Sequence, residues 1–64
     1  DKRHTIRIDI FTKSPSEKDV LYYAVTDTMT AITTYSIRYL GKVDLYDSQE
    51  DMYHQVIEYL VKEK

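Results

Sequence analysis

Few residues of this chain could do chemistry. Asp51, His54 and Glu58 stand three and four residues apart, the spacing that gathers side chains on one face of a helix. An imidazole between two carboxylates suits a divalent cation such as zinc. A closed site needs further ligands that only the fold could bring, so the triplet reads first as a polar helix face. His4 lies in a basic arm beside Lys2 and Arg3 and reads as an exposed side chain. The chain has no cysteine, which removes disulfides and thiolate metal sites together. Nothing matches a glycine-rich phosphate loop, a nucleotide-binding fingerprint or a nucleophile elbow. Carboxylate pairs such as Asp9 and Asp44 could approach across strands, but nothing in the sequence brings them together. No catalytic residue, metal site or cofactor is expected, and the chain is not read as an enzyme.

Charge is the stronger signal. The net charge is −2, yet residues 44–58 hold five carboxylates and no lysine or arginine, while residues 1–13 sum to +2. Part of the acidity has a local explanation. Glu50 and Asp51 could cap a helix, and Asp44 and Asp47 could decorate a turn. That leaves unexplained the absence of compensating bases between Lys42 and Lys62, where an exposed helix commonly carries Glu–Lys pairs. Tyrosines among acids are also what protein-binding surfaces use, with rigid apolar area, a hydrogen-bonding tip and steering charge. The candidate partner-binding residues are therefore Asp44, Tyr46, Asp47, Glu50, Asp51, Tyr53 and Glu58. The expected function is a non-catalytic inhibitor or regulator that offers this acidic surface to a basic protein, such as one that binds nucleic acid. Small inhibitors that mimic DNA are the analogy of charge.

The elements that must position these residues begin with TIRIDIFT at residues 5–12. Strict alternation puts Ile6, Ile8 and Ile10 on one side of a strand and Arg7, Asp9 and Phe11 on the other. SPSE at 14–17 is a capping box with proline at the first helical position. The helix is expected over about 15–31, although seven of the ten residues from Val25 to Thr34 are β-branched, a composition that suits strands. Residues 33–46 read as extended, with the lone Gly41 marking a hairpin turn or a bulge. Ser48 then reads as the cap of a final helix, with Met52, Tyr53, Val56 and Leu60 on its apolar side. Tyr35, Tyr39 and Tyr59 are expected to fill the core.

The expected fold class is α+β, strand–helix–strand(s)–helix. It has two helices on a small antiparallel sheet of two or three strands, in one domain spanning residues 1–64. A chain this short buries only ~60 % of the surface that its unfolded form exposes. With no cysteine to staple it, association becomes the expected reinforcement. An unpaired sheet edge invites a second copy, so a homodimer formed by edge pairing or helix packing is expected. No apolar run approaches the ~20 residues of a membrane span, and the expectation is a soluble, cytoplasmic protein.

KRHTIRIDI, a basic arm running into an alternating strand and then a helix, resembles the ribbon-helix-helix repressors, whose paired strands read the major groove. The resemblance covers the first twenty or so residues. It implies an alternative function, DNA binding through Arg3 and Arg7. The family's second helix has no counterpart in TTYSIRYL, and the net acidity opposes phosphate binding, so nucleic acid ranks behind protein as a partner. QVIEYL at 55–60 loosely resembles the peptides that dock on bacterial sliding clamps, without their second-position leucine.

Overall fold

The computed structural model describes residues 2–63. Strand β1 (Arg3–Thr12) leads into helix α1 (Pro15–Ala31), which is followed by β2 (Tyr35–Asp47) and β3 (Met52–Glu63). The three strands form one sheet in the order β1-β3-β2. Both neighbours of the central β3 run antiparallel to it, so β1 and β2 are parallel with a strand inserted between them. This is the split β-α-β arrangement.

Helix α1 starts as its residues dictate. Ser14 is the N-cap, its Oγ accepting from the Glu17 N–H at 3.5 Å, and Pro15 takes a first-turn position where its missing donor costs nothing. Its β-branched second half remains helical while the hydroxyls of Thr26, Thr28 and Thr30 donate back to the carbonyls of Tyr23, Ala24 and Thr26. The helix ends at Ile32, whose backbone is extended.

The final helix expected after the Ser48 cap, with Lys62 and Lys64 in its last turn, is instead β3 over Met52–Glu63, Lys64 lying outside the described residues, and the reason is periodicity. Met52, Val56 and Leu60 recur every four residues, as do Tyr53, Ile57 and Val61. Four is a multiple of two, so each row stays on one side of a strand as readily as on one side of a helix. In a helix the two rows make one stripe; in a strand they make two apolar faces, as befits a central strand. The residues read as a helix cap form the β2–β3 turn. Asp47 Oδ1 accepts from the N–H groups of Gln49 and Glu50 at 3.0 and 3.2 Å, and Asp51 takes a positive φ of 51°, which aspartate tolerates better than most residues. Asx turns and helix caps draw on the same side chains.

Gly41 resolves as a bulge. Tyr39 faces Tyr59 and Gly41 faces Glu58, leaving Leu40 as the extra residue, and Gly41 has a φ of +150°, a region disfavoured by any side chain.

The core lies between α1 and the sheet. Ile10, Ile57 and Tyr59 are buried, and Ile8, Tyr22, Val25, Met29 and Ile37 pack against them. No residue of α1 is itself buried. Of the tyrosines expected inside, only Tyr59 is; Tyr35 and Tyr39 remain 44 % exposed, because α1 lies over β1 and β3 and leaves β2 largely uncovered. The molecule is a slab of 42 × 20 × 12 Å. At ~1.5 Å per residue the helix reaches ~25 Å, little more than half the sheet's length. The radius of gyration is 13.3 Å, against ~10.7 Å for a compact chain of this length. Its accessible surface is 4821 Å², against ~4,300 Å² for a monomer of this mass. No helix among the described residues is long and apolar enough to cross a membrane.

Candidate functional site

One whole face of the sheet carries no helix. Strand alternation places on it Phe11, Asp9, Arg7, Thr5 and Arg3 from β1, and Met52, His54, Val56, Glu58, Leu60 and Lys62 from β3. From β2 come Asp47, Leu45, Val43, Arg38 and Ser36. Register sorts them into rows across the three strands. Nearest the β2–β3 turn the rows are Asp47–Met52, then Phe11–His54–Leu45, then Asp9–Val56–Val43, apolar apart from His54 and the two aspartates. Further along they become basic, with Arg7, Arg38, Arg3 and Lys62 around Glu58 and Leu60.

The apolar end is built as a surface. Phe11, Val43 and Leu45 are 57, 52 and 49 % exposed and belong to neighbouring rows. His54 stacks on Phe11 with ring centroids 4.2 Å apart and planes within 18°. Its Nε2 lies 3.8 Å from Asp9 Oδ2. Asp9 also accepts from Arg7 Nε at 2.9 Å, and that bond, ahead of the guanidinium's charge, holds its carboxyl below the ordinary range.

The acidic candidates divide among three places. Tyr46, Asp47, Glu50, Asp51 and Tyr53 gather at the turn end. There Tyr46 Oη donates to Asp51 Oδ1 at 2.6 Å, which raises the phenol's pKa, and the Tyr46 and Tyr53 rings lie 5.0 Å apart. Asp44 turns to the helix side and is internally satisfied. Its Oδ1 accepts from Gln55 Nε2 at 2.7 Å, Lys18 Nζ approaches to 3.2 Å and Lys42 Nζ to 3.9 Å. The Gln55 bond, then Lys18, holds its carboxyl below the ordinary range. Glu58 stands on the helix-free face opposite Arg7 and Gly41. The structure thus brings five of the seven residues together and sets Asp44 and Glu58 apart from them.

The metal reading of Asp51, His54 and Glu58 depended on a helix. On strand β3, His54 and Glu58 lie ~13 Å apart along the chain, and Asp51 belongs to the turn. No cluster of three or more metal-ligating side chains occurs among the described residues. On the helix side, a cleft of about 360 Å³ between α1 and β2 is lined by Tyr22, Tyr23, Met29, Tyr39 and Tyr59, with Ile37. There Tyr22 Oη donates to Tyr39 Oη at 3.0 Å; that bond, with burial second, pushes Tyr39 up to about 12.

Comparison of the chain with protein-family models, with curated proteins and with solved structures finds no match, so the site stands on its own geometry. As binding residues, sequence reasoning passed over Phe11, Val43 and Leu45. A signal existed: Phe11 falls among the charged residues of the β1 alternation, and Val43 and Leu45 alternate in VDLYD.

Proposed function

We propose that this chain is a non-catalytic protein-binding module, an inhibitor or regulator that engages a basic protein through the turn end of its helix-free sheet face. Phe11, Val43, Leu45 and His54 form the apolar centre of the contact, and Asp47, Glu50 and Asp51 at the adjoining turn form its acidic rim, while Tyr46 and Tyr53 lie on the helix side of the same end. An apolar centre with a charged rim is the usual anatomy of a protein interface, and the rim carboxylates steer a basic partner. The observation that carries the reading is the half-exposure of three large apolar side chains in adjacent rows, next to an acidic turn. A solvated face has no use for that arrangement.

The test is affinity capture with the protein and two variants. Asp47→Asn, Glu50→Lys and Asp51→Asn together remove the rim charge while keeping the turn's acceptors and tolerance of positive φ. Phe11→Ser with Leu45→Ser removes the apolar centre. A basic protein retained by the parent and lost by both variants is expected, with the charge variant weakened more at low salt. Equal capture by all three proteins contradicts the proposal.

The basic end of the same face favours a second reading, nucleic-acid binding through Arg3, Arg7, Arg38 and Lys62. Retardation of DNA or RNA at low salt, abolished by Arg7→Glu with Arg38→Glu, supports it; no retardation disposes of it.

A further inference from the structure

The sheet has two outer strands, and they are not equivalent. β2 carries the Tyr39/Gly41 bulge and the helix-side charges Lys42 and Asp44, which are devices that discourage another strand from adding. β1 has none of these. It pairs with β3 in unbroken register from Arg3 to Thr12, without bulge or proline. Its helix side from Ile6 onward carries no charge.

The backbone groups on the free side of β1 can be named. The Glu63 N–H donates to the Lys2 carbonyl at 3.4 Å. By antiparallel alternation the even-numbered residues of β1 bond to β3. Thr5, Arg7, Asp9 and Phe11 therefore point their N–H and C=O groups outward.

We infer that this edge binds a second copy of the same chain, β1 against β1 in antiparallel pairing centred on Ile8, to give a continuous six-stranded sheet. A two-fold contact between identical antiparallel strands pairs residues whose numbers have a constant even sum. A sum of 16 sets Arg7 opposite the other copy's Asp9, and Asp9 opposite its Arg7. It also sets Ile8 against Ile8, Ile6 against Ile10 and His4 against Thr12. The neighbouring registers fail: a sum of 14 opposes Arg7 to Arg7, and a sum of 18 opposes Asp9 to Asp9. Directly opposed like charges destabilise a pair of strands and opposite charges support it, so the sequence of one strand selects one register.

The helix side agrees. The two-fold axis runs perpendicular to the sheet and puts both copies of α1 on the same face. Beside β1, Ile8, Leu21, Ala24, Val25, Thr28 and Met29 line a cleft of about 270 Å³. Ala24 and Thr28 present a small-sided, exposed flank to the partner helix, and Leu21 is 42 % exposed there. Ile6, 39 % exposed in one copy, gains Ile10 of the other as its neighbour. The inference does not rest on the partner-binding reading, since it is carried by the β1 backbone edge and the Arg7–Asp9 register, although Phe11 belongs to both surfaces.

Sedimentation over a range of concentrations is the test, with folding checked by circular dichroism. The protein is expected to dimerise. Arg7→Asp alone and Asp9→Arg alone each oppose like charges across the two-fold and should lose the dimer; the double exchange restores opposite charges and should recover it. Ile8→Cys in this cysteine-free chain should oxidise to a covalent dimer, because the Ile8 pair is non-hydrogen-bonded, with Cα atoms ~4.5 Å apart, inside the range a disulfide spans. Leu45→Cys, remote from the edge, should not. A monomer at all concentrations overturns the inference. So does a dimer indifferent to the single exchanges, or one that Ile8→Cys fails to lock.

Discussion

His54 stacks on Phe11 with 4.2 Å between ring centroids, on the side of the sheet that α1 does not cover. Two aromatic rings in contact, one of them more than half exposed, are an unusual use of a small chain's apolar residues. A chain of 64 residues has little core to spare, and among the described residues its buried cluster is Ile10, Ile57 and Tyr59. The stacked pair contributes area to the surface instead.

That distinction can be measured as stability. Ile57 is 0 % exposed, and Ile57→Ala should cost about 2–5 kcal/mol through lost burial and the cavity left behind. Phe11→Ala gives up an exposed stack and should cost about 1 kcal/mol or less. Urea unfolding of the two variants checks this. Equal losses would place Phe11 in the core and remove the case for a binding face.

Gly41 tests the bulge. A Cβ built there meets nothing within 4 Å, so space is not the obstacle to Gly41→Ala. The cost is conformational: at φ +150° a side chain strains the backbone by about 1–3 kcal/mol. A loss in that range on chemical unfolding is expected. An unchanged midpoint would mean that the bulge relaxes freely.

Asp44 contributes to the acid limb of stability, as Asp9 does. The folded pKa of Asp44 lies below the ordinary 3.8, through the Gln55 hydrogen bond first and the lysines after it. A depressed carboxyl contributes stability that is present above its unfolded value and lost as pH falls through the folded one. Acidification below 3.8 should therefore destabilise the protein, and Asp44→Asn should flatten that part of the curve. Urea midpoints against pH for both proteins decide the matter; parallel curves would show that the Asp44 cluster contributes nothing.

Much of this architecture was legible from residues alone. Alternation in TIRIDIFT and the SPSE start place β1 and α1 as the structure has them. β3 was not legible, because rows spaced by four fit strand and helix alike, and DSQED serves a turn as well as a cap. Burial against strands on both sides decides between them, and that is a tertiary fact. The misreading also explains the site. Asp51, His54 and Glu58 separate once the helix becomes a strand, and Asp44 turns inward because register sets it opposite Gln55. The turn-end cluster survives because Tyr46, Asp47, Glu50, Asp51 and Tyr53 are close in sequence whatever joins them. The apolar face beside it needed all three strands in register.

The binding face is tested most directly by amide chemical-shift mapping of the labelled protein on addition of a captured basic partner. Shifts at Phe11, Val43, Leu45, Glu50, Asp51 and His54, with the exposed side of α1 around Val20 and Tyr23 unchanged, are the predicted result. Shifts confined to α1, with the helix-free face silent, would contradict it.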